Sequence, residues 1–274
     1  MWPSESENDD DFMHSLYLKS SALQDSSTKL RTFKDDTLLN SLAQQWVFES
    51  MKRKYLYNFD WMGRPIIQYP QDMVAIQEII WRVRPTLIIE TGIAHGGSLI
   101  LSASMLALLD YCDAIESNMT INPSDSKRKV VGIDIEVRQH NRAAIVSHPL
   151  GSKIEIIEGS STDSRVVNEV VEIAKIHSSI LLLLDSNHTH EHVLGELDAY
   201  ANLVSVGSYC VVFDTFVEDM PAGYFADRPW DKGNSPRTAV VEFLKDHSEF
   251  VVDESIQNKL LITVAPGGFL KRTS

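Results

Sequence analysis

The stretch TLIIETGIAHGGS (Thr86–Ser98) carries a β-branched apolar run, then a carboxylate, then a turn rich in glycine. That order reads as a buried strand, a tight turn and the start of a helix. Similar runs recur downstream: KVVGIDI (129–135), KIEIIEG (153–159), SILLLLDS (179–186) and YCVVFDT (209–215), with helical texture between them. Near-continuous apolar runs fit strands covered on both faces, hence a parallel sheet with helices on each side. FVVDES (250–255) and LLITVAP (260–266) follow with only a short gap around QNK and predict a closing antiparallel hairpin. The fold expected is α/β: a doubly wound, mostly parallel seven-stranded sheet of Rossmann-like type with one reversed strand.

Upstream the texture changes. Residues 1–80 are more polar and predict an N-terminal helical extension, ahead of an α/β body over 81–274. TLLNSLAQQWVFESMKRKY (37–55) and PQDMVAIQEIIWRVRP (70–85) read as helices, the second fenced by Pro70 and Pro85. The opening MWPSESENDDDF is acidic, lacks a signal-peptide pattern, and predicts a disordered start of about a dozen residues. Trp46, Phe48, Tyr55, Tyr57, Phe59 and Trp61 form an aromatic cluster that reads chiefly as a core patch.

The 274 residues carry a formal charge of −13 and 43% hydrophobic residues. Such a charge argues against a nucleic-acid partner, because phosphate binding needs clustered Lys and Arg. It argues equally against anionic lipid. No apolar run reaches the roughly 18 residues of a membrane span. Two cysteines, Cys112 and Cys210, make no disulfide framework and fit the reducing cytoplasm.

In sheets of this kind ligands bind outside the carboxyl ends of the strands, at the switch in strand order. The strand ends here are Glu90-Thr91-Gly92, Asp134, Gly159-Ser160-Ser161, Asp185 and Asp214. Four carboxylates on one crevice repel unless a cationic guest sits among them. The turn after Glu90 lacks G-x-G-x-x-G spacing and no G-K-[ST] follows, which disfavours a dinucleotide or nucleoside triphosphate. The order of features fits S-adenosylmethionine instead. Glu90 faces its ammonium or is reached through water; Thr91, Gly92, His95, Gly96, Gly97 and Ser98 form the turn for its carboxylate and ribose. Asp134 takes the ribose diol, and Gly159, Ser160, Ser161 and Asp163 border the adenine. His95 either touches cofactor or only fills the turn, and a plain glycine-rich connection is the alternative for the whole turn.

From about Pro70 to Arg272 the chain resembles the cephalosporin hydroxylase family, which is related to O-methyltransferases of rhamnosyl groups and macrolide deoxysugars. The matching segments are RPTLIIETGIAHGGSLILSAS, VVGIDIEVRQHNRAAI, IEGSSTD, LLLLDSNHTHEHVLGEL, VSVGSYCVVFDT and NKLLITVAPGGFLKR. The resemblance implies a class I methyltransferase fold, S-adenosylmethionine, a divalent metal, usually magnesium, a small-molecule acceptor containing carbohydrate, and a homo-oligomer.

LLLLDSNHTHEHV (181–193) then gains a meaning. Asp185 and Asp214 end neighbouring strands and can hold a hard cation through oxygen. By resemblance Asp185 binds the metal, also borders the cofactor, and stands beside His188, which acts as general base. The family's acidic pair at the next strand is incomplete here: Phe213 and Thr215 flank Asp214, so either Thr215, Glu218, Asp219 or water supplies the missing oxygen, or the metal binds weakly. Asp185 could instead only cap the next helix, and His188 could be a polar helix-start residue. His190 and His192 read as surface or supporting residues. Because positions 188 and 192 share a helix face, they could imitate with Asp185 the two-histidine, one-carboxylate site of a non-haem iron hydroxylase. A third reading is a non-catalytic relative that binds cofactor. The segment FVEDMPAGYFADRPWDKGNSPRTAV (216–240), with Tyr224, Phe225 and Trp230, reads as a lid or a plain surface loop.

Overall fold

A computed structural model of the chain describes residues 33–274. The prediction of a disordered N-terminus concerns residues outside that range. Helix α1 (Thr37–Lys52) is followed by a small hairpin, β1 (Phe59–Trp61) and β2 (Arg64–Ile66), and by α2 (Pro70–Val83). The α/β body then runs β3 (Leu87–Thr91), α3 (Gly97–Glu116), β4 (Lys129–Asp134), α4 (Gln139–Val146), β5 (Ile154–Glu158), α5 (Ser164–Ala174) and β6 (Ile180–Leu184). It closes with α6 (His190–Tyr200), β7 (Tyr209–Val212), α7 (Pro236–Asp246), β8 (Phe250–Val252), α8 (Glu254–Leu260) and β9 (Phe269–Arg272).

Seven strands form one sheet in the order β5-β4-β3-β6-β7-β9-β8. The β3–β7 strands are mutually parallel, and β9 runs antiparallel to both its neighbours. All five residues of β3 and of β6 are buried, which is why their sequences read as unbroken apolar runs. Alternate residues serve opposite faces. Ile88, Leu181, Leu183 and Val211 face a core shared with α2, α3 and α8. Leu87, Ile89, Leu182, Leu184, Cys210 and Val212 face a second core built with α5, α6 and α7. Each such side chain contributes about 1.5–3 kcal/mol of burial, so the central strands fix the three-layer arrangement.

The predicted closing hairpin forms differently. QNK lies inside α8, whose start is capped by Asp253 accepting from the Ser255 amide at 3.1 Å. LLITVAP is not a strand. Asp72, fully buried on α2, accepts from the Thr263 hydroxyl and from the Val264 amide at 3.0 Å, which holds this segment on the helical layer. The reversed strand is therefore FLKR, with Leu270 opposite both Cys210 and Val252. The β1–β2 hairpin is also absent from the sequence reading; Met62 and Gly63, with φ of 47° and 83°, make its two-residue turn.

The aromatic cluster is half open. Trp46 and Tyr55 are about one-third exposed and Tyr57 is 58% exposed, while Trp46 and Tyr55 pack on the fully buried Tyr69. One helix among the described residues, α3, is long and apolar enough to cross a membrane by length and composition, contrary to the sequence estimate. Its burial in the fold accounts for that composition: Leu99, Ala103, Leu106 and Leu109 all belong to the first core.

Burial raises the Asp72 carboxyl to about 7. A carboxyl whose folded pKa lies above its unfolded value favours folding fully below the unfolded pKa, and that contribution is lost as pH rises through the folded pKa. Urea unfolding of Asp72→Asn and the parent between pH 4 and 7 should therefore show a parent whose stability declines more steeply, by up to about 1.4 kcal/mol per pH unit. Parallel curves would show that Asp72 is not held protonated by the fold.

Candidate functional site

The order of strands reverses between β3 and β6, and the crevice opens there. Two cavities, of about 340 and 220 Å³, share Gly92, Asp134, Ser186 and Trp230 and so form one bipartite crevice. Its floor is the turn after β3. Gly92 has φ +89°, and a Cβ there would stand 2.0 Å from the Asp185 carbonyl oxygen. Only glycine lets β3 and β6 end this close together.

Side chains from distant segments brace this turn. Asp134 accepts from the Ile93 amide at 2.8 Å and the Ala94 amide at 3.3 Å. Arg64, on β2, donates to the His95 carbonyl at 3.0 and 2.5 Å and to Asn141 Oδ1 at 2.9 Å. Asn141 in turn donates to the Ala94 carbonyl at 2.9 Å. The turn is thus fixed before any ligand arrives. His95, Gly97 and Ser98 line the larger cavity with Gly92 and Asp134. Gly96 instead packs its backbone on Ile145.

Glu90 is 2% exposed, accepts from the Ser98 hydroxyl through one oxygen, and has no partner for Oε2. Burial lifts its pKa to about 7. Gln68, 4% exposed, also lines the larger cavity, and its Oε1 has no partner. Thr91 is fully buried and its carbonyl accepts from the Asp185 amide at 2.9 Å, which joins the two strand ends.

Ser160 and Ser161 line the smaller cavity. Gly159 donates its amide to the Asp134 carbonyl at 2.9 Å, and Asp163 is an exposed N-cap accepting from the Arg165 amide at 2.8 Å. Neither Gly159 nor Asp163 is among the residues lining the two cavities.

At the mouth of the larger cavity stand Asp185, His188 and Asp214. A ligand atom from each lies within 4.8 Å of the other two. His188 Nε2 is 3.0 Å from Asp214 Oδ2, and the Trp230 ring meets the imidazole edge-on at 4.7 Å between centroids. Asp214 has φ +54°, a strained value for a non-glycine residue. No described residue donates a hydrogen bond to the Asp185 carboxylate. Burial first, then Asp214, Glu90, Asp72 and Glu196, pushes its pKa well above the usual range.

The residues expected to complete this cluster lie elsewhere. The Thr215 hydroxyl is fully buried and donates to the Pro266 carbonyl at 2.8 Å. Glu218 accepts from Ser235 at 2.6 Å and from the Gly233 amide at 3.0 Å, anchoring the loop that carries Trp230. Asp219 is paired with Arg237. The two-histidine, one-carboxylate arrangement is not assembled either. His192 Nε2 lies 3.0 Å from Ser161 Oγ and 3.4 Å from Glu196 Oε1, and His190 bonds Thr238 at 2.9 Å.

Arg64 and Asn141 gave no sequence signal, because their partners are backbone carbonyls brought near by folding. Glu196 did leave one. In HEHVLGELDAY the buried face of α6 carries Val193, Glu196, Leu197 and Tyr200, an acid within an apolar stripe.

The family described as Rhamnosyl O-methyltransferase/CmcI matches residues 53–273. A rhamnosyl O-methyltransferase of Mycobacterium tuberculosis is 26% identical over 235 residues, covering 82% of this chain and 85% of the relative. That of Mycobacterium leprae is 27% identical over 233 residues, covering 82% and 90%. Among solved structures, cmcI with SAH superposes with a TM-score of 0.53 at 17% identity over 80% of this chain and 84% of the other. A CmcI apo-structure gives 0.52 at 17% identity, covering 80% and 77%. These superpositions establish a shared fold.

The contact at Gly92 is testable. Gly92→Ala should destabilise the protein by more than about 2 kcal/mol in urea unfolding, combining a left-handed alanine with a backbone clash. A loss below about 0.5 kcal/mol would show that β3 and β6 do not approach this closely.

Proposed function

Because the chain belongs to the Rhamnosyl O-methyltransferase/CmcI family, we propose that it is an S-adenosylmethionine-dependent O-methyltransferase. Its acceptor is a hydroxyl of a sugar or glycosylated small molecule, and a divalent metal, magnesium by preference, assists. The observation that carries this reading is the Asp185–His188–Asp214 cluster at the mouth of a nucleoside-sized crevice. The residues present fit both guests. Asp185 is a carboxylate among carboxylates with no donor of its own, which suits a hard cation with oxygen ligands. Glu90 lies buried behind Ser98, which lines the larger cavity, and its unpartnered Oε2 leaves a negative group close behind that wall.

In this reading Asp185 and Asp214 hold the metal, with water rather than Thr215 in the remaining positions. Gly92, His95, Gly97, Ser98, Asp134 and Asp185 surround the cofactor's amino-acid and ribose portions, with Glu90 and Thr91 buried behind them, and Ser160 and Ser161 meet its base. Gly96, Gly159 and Asp163 act through the backbone shape of their turns. When bound, S-adenosylmethionine supplies the electrophilic methyl group and the metal acidifies the acceptor hydroxyl.

His188 takes the proton. Its Nε2 stands 3.0 Å from Asp214 Oδ2, so the carboxylate is placed to stabilise an imidazolium. That contact involves one oxygen of Asp214 and leaves the other for a cation. Trp230 holds the ring from the side and, with Phe225 and Arg228, narrows the mouth against water.

The division into an extension to about residue 80 and a methyltransferase-like body over 81–274 belongs to this reading; the seven-stranded sheet begins only at Leu87. So does a homo-oligomer, for which Leu108, Tyr111 and Ile115 offer an exposed apolar stripe at helical spacing on α3. A cytoplasmic setting accords with the two free cysteines.

The enzyme assayed on sugar-bearing acceptors should transfer a methyl group from S-adenosylmethionine and lose rate when EDTA removes divalent ions. His188→Ala and Asp185→Asn should each lower kcat by about a hundredfold or more. Calorimetry on His188→Ala with S-adenosylhomocysteine should give an affinity within a few-fold of the parent. Full turnover in both variants would remove the site assignment, and absence of cofactor binding by the parent would remove the reading itself.

A further inference from the structure

Beneath the smaller cavity lies a buried carboxylate with no part in the steps above. Glu196, on α6, is fully buried. Its Oε1 accepts from Ser161 Oγ at 2.5 Å and from Ser186 Oγ at 2.6 Å. Ser161 precedes α5 and Ser186 follows β6, and both residues line the cavity.

A serine hydroxyl has one proton and two lone pairs. Both protons are committed to Glu196, so each hydroxyl can only accept from anything in the cavity. His192 agrees with this polarity. Its Nε2 sits 3.0 Å from Ser161 Oγ, and since that oxygen has given its proton away, Nε2 must carry one and donate. That uses one lone pair of Ser161 and leaves the other. Ser161 and Ser186 are thus two acceptors whose direction Glu196 sets, in a cavity also lined by Ile133, Ile135, the ring of Trp230 and the polar residues Asp134, Ser160, Asn187 and His192. Such a lining suits a flat heterocycle with an exocyclic amino group. It repels one with a carbonyl at that place, where lone pairs would face lone pairs.

We infer that Glu196 is a positioning residue for cofactor specificity: by taking the protons of Ser161 and Ser186 it makes the smaller cavity select a 6-amino purine over a 6-oxo purine. The inference rests on the methyltransferase reading, because it takes the nucleoside base as the occupant of this cavity. Glu196 touches no ligand. It sets the direction in which two serines can bond, and the cost of opposing them is that of leaving buried polar groups unpaired.

The test compares two ligands by calorimetry: S-adenosylhomocysteine and its deaminated form, S-inosylhomocysteine. The parent protein should favour the adenine compound by on the order of tenfold or more. Glu196→Met, which removes the acceptor at similar length, frees both hydroxyls to rotate and should reduce the preference to within about threefold. Glu196→Gln keeps a carbonyl oxygen able to take both protons and should retain most of it. A general loss of packing would weaken both ligands together and leave their ratio intact, so the ratio isolates the polarity. If Glu196→Met does not fold, the double variant Ser161→Ala with Ser186→Ala carries the same test and should lose the preference. A parent that binds both ligands equally, or a Glu196→Met that keeps the parental ratio, overturns the inference while leaving the methyltransferase reading standing. A parent that binds neither overturns both.

Discussion

Repulsion among carboxylates governs this molecule. A parallel sheet delivers every strand end to the same rim, and here the ends carry Glu90, Asp134, Asp185 and Asp214. Asp72 and Glu196 approach from the helices, close enough to raise the pKa of Asp185. The protein quiets most of these charges with its own donors. Asp134 receives turn amides, Glu90 receives Ser98, Asp72 receives Thr263 and Val264, Glu196 receives two serines, and Asp214 faces His188. Asp185 is the exception. An uncompensated carboxylate in a crevice is costly to maintain, and a cationic guest resolves that cost directly.

The same constraint divides the crevice into two chemically distinct halves. The larger half gathers acids and two histidines, suited to a metal, a sulfonium and a proton in transit. The smaller half combines isoleucines and an indole with polar residues, among them two serines whose protons go to Glu196. Trp230 belongs to both halves and also braces His188. The loop bearing it is pinned by Glu218, a residue whose carboxylate looked from its position like a metal ligand. An acid near a candidate metal site is thus not automatically part of it, since a loop of this length needs its own anchors.

The core of the fold was readable because its signals are local. Five apolar runs, each closed by a polar strand end, specify parallel strands whatever the partners, four of them largely buried and β5 at the sheet edge only partly so, and the helices between them follow from spacing. The glycine turn was equally plain, as was the pairing of Asp185 with His188 three residues on. The errors came where distant contacts override local preference. LLITVAP has strand propensity throughout, yet Asp72, nearly two hundred residues away, holds Thr263 and Val264 against α2. Thr215 stands next to Asp214 in the chain, but its hydroxyl turns to Pro266. The β1–β2 hairpin is too short to carry a period, and Arg64 acts on carbonyls thirty residues onward.

The sequence by itself determined which side chains end the strands and therefore which chemistry the rim could hold, because strand direction and alternation are written into consecutive residues. Tertiary structure alone decided which of those groups are already satisfied. Hydrogen bonds and electrostatic repulsion depend on separation in space, and only the folded chain brings Glu196 under Ser161, Arg64 under the glycine turn and Asp214 within reach of His188.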